Sequence, residues 1–190
     1  MTYAQKTFSD SNPVKRFFQR SRLRDALRLA EKYPAPGVVI DFGAGNGELC
    51  KGLAARHPDA EIVCYEPHPD LLAQARSNLA GLVNVKFTDT VPEHPADLLF
   101  CLEVFEHLPE RESAEVAAQF RGLLRNGGRA IVGVPVETGF PALYKGLFRM
   151  VRRFGDHDAR PGNILGAVMG RPPAERPAVE LLPGVFYHLH

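Results

Sequence analysis

Short apolar runs alternate with amphipathic segments along most of this chain, and that alternation constrains its fold more than any other feature. The segments between the runs have helical periodicity over residues 47–57, 69–79 and 110–124. Strands and helices that alternate on short connections predict an α/β fold, in which a mostly parallel sheet carries helices on both faces. The five predicted strands are VVIDF (38–42), EIVCYEP (61–67), VKFTD (85–89), DLLFCLEV (97–104) and RAIVGVP (129–135).

Composition divides the chain into three segments. We predict that residues 1–36 form a basic helical cap, because residues 1–32 contain eight Lys or Arg and only three Asp or Glu. The alternating strands and helices occupy residues 37–137. Residues 138–190 are expected to complete the same domain, with a basic amphipathic helix over 141–154 and a Gly- and Pro-rich loop or mobile lid over 155–184. Apolar side chains of the cap recur at helical spacing from Pro13 onward, at Phe17, Leu23, Ala26, Leu27 and Ala30.

Net charge limits the classes of partner that the chain could bind, and cysteine spacing indicates the cellular compartment in which it functions. The formal net charge is +1, which disfavours a nucleic-acid binder that acts through bulk electrostatics. Cys50, Cys64 and Cys101 are widely spaced and form no CxxC pair, so we expect buried free thiols in a reducing cytoplasm. The N-terminal stretch is too polar for a secretory signal.

The turn after the first predicted strand is the most informative loop. In an open parallel sheet a ligand binds beyond the carboxyl ends of the strands, and Gly43, Gly45 and Gly47 would let backbone approach it closely. A dinucleotide would place its pyrophosphate at the start of the next helix, beside the carboxylate of Asp41. A cationic, phosphate-free adenosine derivative such as S-adenosylmethionine suits Asp41 better. An NAD-dependent oxidoreductase is therefore the weaker alternative.

Three further acids stand at the ends of the following predicted strands. Glu66 ends the second strand, where a carboxylate can bind two ribose hydroxyls. Asp89 ends the third strand, where it could accept a hydrogen bond from an adenine amino group, and Glu103 ends the fourth. A single acid at a turn carries little information, because Asp and Glu are common there. The four acids together predict a negatively charged cleft that rejects phosphate.

Five ordered segments resemble the successive motifs of class I S-adenosylmethionine-dependent methyltransferases, with a methyltransferase type 11/12-like domain over about residues 37–137. The resemblance implies an enzyme, a Rossmann-like three-layer sandwich and S-adenosylmethionine as cofactor. This chain departs from the family after residue 135, where the usual closing helix and antiparallel hairpin are not recognisable in the sequence. The segments are VVIDFGAGNGEL, IVCYEPHPDLLAQAR, VKFTDT, DLLFCLEVFEHLPE and LLRNGGRAIVGVPVE.

The resemblance also implies which residues hold the cofactor. The glycine turn and its acid would cradle the methionine part, the second strand end would hold the ribose, and the third would hold the adenine. The end of the fourth strand would contact the cofactor mainly through backbone. The implied cofactor-binding residues are Asp41, Gly43, Ala44, Gly45, Gly47, Glu66, Pro67, Asp89, Thr90, Cys101 and Leu102.

The sequence E-V-F-E-H after the fourth strand is the candidate for catalytic assistance. Glu106 and His107 are the candidate catalytic residues, as proton acceptors for a hydroxyl nucleophile. Glu103, Glu106 and His107 also resemble the divalent-metal ligands of some O-methyltransferases, with His188 or His190 as a further ligand. We favour the alternative that Glu106 and His107 bond locally at the start of the next helix, so no metal ligand is assigned.

The preferred function is a methyltransferase that acts on a small-molecule or lipid-like acceptor, with oxygen as the expected methylated atom. The alternative is a non-catalytic S-adenosylmethionine-binding or assembly module that lacks the acceptor half. The two basic helices could also make peripheral membrane contact, although arginines that simply face water are the plainer interpretation.

Overall fold

The computed structural model describes residues 13–136, 138–171, 178–182 and 185–188. The described chain divides into two compact units, of which the first comprises Met1–Val104 with Glu110–Gly133 and the second Phe105–Pro109 with Val134–His190. Elements of the first unit are α1 (Pro13–Ala30), β1 (Val38–Phe42), α2 (Glu48–Arg56), β2 (Glu61–Tyr65), α3 (Pro69–Asn78), β3 (Val85–Thr88), β4 (Ala96–Leu102), α4 (Glu110–Leu123) and β5 (Leu124–Gly133).

The first unit is built on a parallel sheet of five strands in the order β3-β2-β1-β4-β5. Strand β1 lies at the centre, with β2 on one side and β4 on the other. Its Asp41 stands opposite Cys64 of β2 and Phe100 of β4. Because the strands are parallel, their carboxyl ends meet at one edge, and the order changes direction at β1. The predicted α/β fold with a mostly parallel sheet is confirmed.

Alternate side chains of the central strand pack into two separate apolar layers, one on each face of the sheet. Val39 points into a core with α1, α2 and α3, which contribute side chains such as Leu27, Leu53 and Ala75. Phe42 belongs to the opposite face, where its ring lies 5.3 Å from that of Phe120 in α4. Strand side chains alternate between faces, so the helices cover both sides of the sheet, as predicted.

The cap helix and the thiols are also described. Ala26, Leu27 and Ala30 of α1 are buried, whereas Phe17 is 61% exposed and does not join the predicted apolar face. The segment before residue 13, which belongs to the predicted cap, lies outside the described residues. The predicted buried free thiols are confirmed at Cys50, Cys64 and Cys101.

Strand β5 begins earlier than the sequence predicts. The predicted strand starts at residue 129, but β5 starts at Leu124, directly after α4, and includes Asn126-Gly127-Gly128. The pairing with β4 shifts register between Ala96 and Leu98, which accommodates the glycines. An Asn-Gly-Gly sequence is typical of a helix end, and α4 does end just before it, at Leu123. The same three residues also form the irregular start of β5.

The second unit corrects one expectation for the C-terminal segment. The predicted loop over 155–184 contains a short 3₁₀ helix (His157–Ala159), helix α6 (Pro161–Val168) and strand β6 (Ala178–Leu182). Strand β6 pairs antiparallel with β7 (Val185–His188) in a two-stranded sheet that is separate from the five-stranded sheet.

The predicted basic helix of this unit is confirmed as α5 (Phe140–Arg153). No helix among residues 13–136, 138–171, 178–182 and 185–188 combines the length and the hydropathy that crossing a bilayer requires.

Candidate functional site

The glycine turn after β1 is fixed by backbone hydrogen bonds. The amides of Gly43 and Ala44 both donate to the carbonyl of Tyr65 at 2.9 Å, and the amide of Gly47 donates to the carbonyl of Ala44 at 2.9 Å. Gly43, Gly45 and Gly47 have φ angles of 74°, 57° and 84°. These left-handed conformations cost an L-residue with a side chain about 1–2 kcal/mol each, which explains the glycines.

The three glycines differ in what surrounds them. A Cβ at Gly43 would lie 2.6 Å from Cγ2 of Val104, and a Cβ at Gly47 would lie 2.6 Å from Cδ1 of Leu79. A Cβ at Gly45 would meet no atom within 4 Å. Gly43 and Gly47 therefore serve close packing within the protein, whereas Gly45 borders open space at the carboxyl edge of the sheet.

Glu66 follows β2 and ties this turn to the next helix. Its Oε2 accepts a 2.7 Å hydrogen bond from the amide of Gly45, and its Oε1 accepts a 2.9 Å bond from the amide of His68. The residue is 6% exposed. Burial raises the pKa of its carboxyl, and the two amide bonds oppose that shift. The structure thus holds a buried acid directly against the predicted cofactor turn.

Asp41 is a second buried acid beside the first. It is 3% exposed, and the Cys50 thiol donates a 3.2 Å hydrogen bond to its Oδ2. Burial raises the pKa of Asp41 to about 7; the Cys50 bond lowers the pKa, and the charge of Glu66 raises it. Two neighbouring acids that are costly to ionise without a cation form an environment that a cationic ligand would stabilise.

The remaining predicted cofactor residues lie at the ends of the neighbouring strands. Asp89 and Thr90 follow β3 and are exposed, and the Thr88 hydroxyl donates to the Thr90 carbonyl at 2.8 Å. At the end of β4, Cys101 is fully buried and Leu102 is half-buried. Cys101 can therefore offer a ligand little beyond its backbone. Pro67 is exposed beside Glu66.

Glu103 adopts an unusual backbone conformation directly after β4. It has a φ of 57°, the one positive φ of a non-glycine residue among the described residues. Its amide donates to the carbonyl of Gly133 at 2.9 Å, and its carboxylate pairs with Arg22 of α1. Such conformations often mark functional sites, because the surrounding structure must hold the strain.

The sequence did not single out Arg22, Cys50 or Val104, although each contacts a predicted site residue. Arg22 is one of many basic residues near the N-terminus, and nothing in its spacing distinguishes it. Cys50 follows Asp41 by nine residues, and only the turn between strand and helix brings the two side chains together. These contacts are tertiary, so no local sequence pattern predicts them.

The candidate catalytic residues belong to the second unit. Glu106 and His107 lie in a 3₁₀ helix (Phe105–His107) rather than at the start of α4, and His107 Nε2 is 3.9 Å from Glu106 Oε1. The Glu106 side chain is 5% exposed. Over the described part of the chain, no group of three or more His, Cys, Asp or Glu side chains could hold a metal ion. The metal alternative gains no support there.

The two histidines considered as further metal ligands lie near the C-terminal end of the sequence. His188 ends β7, and His190 lies outside the described residues.

Comparison with protein families adds an independent finding. A family model described as a methyltransferase domain matches residues 40–130, which contain the glycine turn, both buried acids and β4. Trans-aconitate 2-methyltransferase of Methylobacterium radiotolerans is 33% identical over 159 residues, which are 81% of this chain and 58% of that protein. The Methylobacterium nodulans protein of the same name is 30% identical over 158 residues, with the same shares covered. The chain thus spans little more than half the length of these curated relatives.

Solved structures agree on the fold. The N-methyltransferase NodS from Bradyrhizobium japonicum, in complex with S-adenosyl-L-homocysteine, matches 90% of this chain and 79% of its own with a TM-score of 0.57 at 20% identity. The DhpI complex with SAH matches 68% of this chain and 62% of its own with a TM-score of 0.55, also at 20% identity. At these identities, the similarity establishes the fold alone.

Proposed function

We propose that this protein is a class I S-adenosylmethionine-dependent methyltransferase, which transfers a methyl group from S-adenosylmethionine to a small-molecule acceptor. The proposal is supported by the methyltransferase-domain model that matches residues 40–130. The acceptor atom is oxygen in this proposal. The single observation that carries it is the arrangement of two buried acids, Asp41 and Glu66, around a glycine that borders open space.

The residues of the glycine turn fit the cofactor in charge and in shape. Bound S-adenosylmethionine supplies a methyl group on a sulfonium, which is a good leaving group. Asp41 and Glu66 favour a cationic ligand, and Gly45 leaves room beside them for its close approach. Glu66 also orients the turn through the Gly45 amide. The contribution of this chain to rate is alignment of the reacting atoms, worth up to roughly 7–11 kcal/mol.

Two observations support an anionic acceptor: the substrate named for the relatives, and one ion pair near the glycine turn. Trans-aconitate carries carboxylates, whose oxygens are nucleophiles that need no proton removed. Arg22 pairs with Glu103 just after β4, next to the glycine turn that Val104 contacts. We propose that Arg22 attracts an anionic acceptor to this edge, against the negative charge of the two buried acids. A lipid-like acceptor remains the second candidate.

A methyl-transfer assay tests the proposed activity. The full chain is incubated with S-adenosylmethionine labelled in its methyl group and with trans-aconitate, with other small di- and tricarboxylates, or with hydroxylated small molecules. We expect labelled product with a carboxylate acceptor, and a lower kcat/KM for Arg22→Gln than for the matched exposed variant Arg24→Gln. Cofactor binding without labelled product from any acceptor would instead support the non-catalytic binding module.

The role of Glu106 and His107 depends on the acceptor. A hydroxyl acceptor must lose a proton, so the double variant Glu106→Gln, His107→Gln would lower kcat by about 10²–10⁴-fold. A carboxylate acceptor would leave kcat nearly unchanged in the same variant. The pair of assays therefore separates the two acceptor classes.

A cytoplasmic location is part of the proposal, supported by the three buried free thiols.

A further inference from the structure

Helix α5 turns its large apolar side chains toward solvent. Val151 is 87% exposed and Phe140 is 78% exposed, and Leu143, Tyr144 and Leu147 between them are also exposed. Their positions follow the i, i+3, i+4, i+7, i+11 pattern, so they line one side of the helix. We define the apolar face of α5 as Phe140, Leu143, Tyr144, Leu147 and Val151.

The opposite side of α5 carries the small residues and packs against α6. Ala142 is buried, and a Cβ at Gly146 would lie 2.5 Å from Cγ2 of Ile164. This contact requires a residue without a side chain, since an added methyl group would overlap Ile164. The fold therefore uses the small face of α5 for its internal packing and leaves the large apolar face at the surface. Contiguous exposed apolar surface of this kind marks interaction sites in soluble domains.

The charge of α5 indicates what covers the apolar face. The helix sequence FPALYKGLFRMVRR contains four Lys or Arg and no Asp or Glu. A second copy of the chain, docked symmetrically on this face, would bring two such cationic helices together and would be opposed by their repulsion. An anionic surface would be attracted by the same charges. A short helix with aromatic and aliphatic residues on one side and cations elsewhere is typical of helices that lie in a membrane interface.

We propose that α5 docks the protein on the surface of membranes rich in anionic phospholipids, with its apolar face inserted among the acyl chains near the headgroups. The net positive charge of the helix sequence would contribute attraction to the lipid phosphates, worth a few-fold in affinity per charge near the surface. The association is peripheral and reversible. It does not depend on the proposed methyl transfer, because none of the residues that carry it belongs to the glycine turn or to the buried acids.

Vesicle co-sedimentation of the full chain tests this proposal. Vesicles of phosphatidylcholine alone are compared with vesicles that contain about one-quarter phosphatidylglycerol, each at low and high salt. We expect binding to the anionic vesicles that weakens with salt, and little binding to the neutral ones. The double variant Leu147→Ser, Val151→Ser should bind anionic vesicles at least about tenfold more weakly. Val83→Ser, which changes a residue that is 95% exposed in the first unit, should bind unchanged.

A fluorescent reporter gives a second readout that does not depend on loss of binding. The chain contains no tryptophan, so Val151→Trp introduces a single indole on the apolar face. We expect its emission to shift to the blue, and to be quenched by brominated lipid, when anionic vesicles are added. Val83→Trp, with an equally exposed indole elsewhere, should show neither effect. Circular dichroism of each variant establishes that it has folded.

Several results would overturn the proposal. One is an absence of binding to anionic vesicles by the folded wild-type chain, and another is unchanged binding by the double serine variant. A third is that the wild-type chain does not bind vesicles but forms a concentration-dependent dimer, which the double serine substitution abolishes. That result would assign the apolar face to self-association instead. Because cofactor binding is measured separately, any of these results leaves the proposed function standing, and failure of methyl transfer leaves the membrane proposal standing.

Discussion

At the scale of single residues, the glycines of the turn have two different functions: two of them allow close packing within the protein, and the third leaves space for a ligand. Gly43 and Gly47 are needed because a side chain would collide with Val104 or Leu79, whereas Gly45 has only its φ of 57° to require glycine. A side chain at Gly45 would therefore enter the space proposed for the cofactor. That difference makes Gly45 the most informative single position of the turn.

We predict that Gly45→Ala lowers the affinity for S-adenosylmethionine by at least about tenfold, because its methyl group occupies space that the ligand needs. The left-handed conformation adds a loss of stability of about 1–2 kcal/mol. Isothermal titration measures the affinity and urea denaturation measures the free energy of unfolding. Gly81→Ala is the matched control, since Gly81 has a φ of 91° and nothing within 4 Å of an added Cβ. Equal affinities of the two variants would contradict this account of the turn.

The residues of the glycine turn could be predicted from the sequence, whereas the individual role of each residue could not. Glycine spacing and the acids at the strand ends are local patterns, so Asp41, Gly45 and Glu66 could be selected from the sequence. Their contacts could not. The Cys50 thiol on Asp41 and the Gly45 amide on Glu66 join residues 9 and 21 positions apart, and only the folded sheet fixes them. The cofactor roles of these residues stay predictions.

At the scale of elements, the strands were more predictable than the C-terminal segment. β1 and β4 are short apolar runs that are buried on both faces, which makes them recognisable, whereas β2 and β3 are only partly buried and were recognised from their β-branched and aromatic residues. Helix α6 was missed because Gly and Pro surround it, yet Pro161 stands at its first turn, where proline is favoured. The β6–β7 hairpin also had an available signal, since Pro183-Gly184 is a turn dipeptide between two apolar runs.

The contact between α5 and α6 gives an element-scale prediction. Gly146→Ala should destabilise the protein by about 1–3 kcal/mol, because the new methyl group would overlap Ile164 and force the helices apart. Gly122→Ala is the control, since Gly122 lies in α4 with nothing within 4 Å of an added Cβ. In that helix alanine should be neutral or stabilise by up to about 1 kcal/mol. Thermal or urea denaturation compares the two, and equal stabilities would contradict the close packing described.

At the scale of the whole molecule, the sheet brings separate strand ends together at one edge. Parallel β1, β2, β3 and β4 place the glycine turn, Glu66, Asp89 and Glu103 beyond neighbouring strand ends. The buried pair, Asp41 and Glu66, then sets the preference for a cation. The candidate catalytic residues lie in the other unit, so the cofactor site and the catalytic assignment are independent claims.

The most direct test of the central claim is isothermal titration of the full chain with S-adenosylmethionine across pH. The raised pKa of Asp41, about 7, means that the free protein holds a proton there below that pH. A cationic ligand prefers the ionised acid, so affinity should rise with pH and level off above about pH 7, weakening up to tenfold per unit below it. Asp41→Asn should lose this dependence. A pH-independent affinity, or binding of NAD in place of S-adenosylmethionine, would contradict the claim.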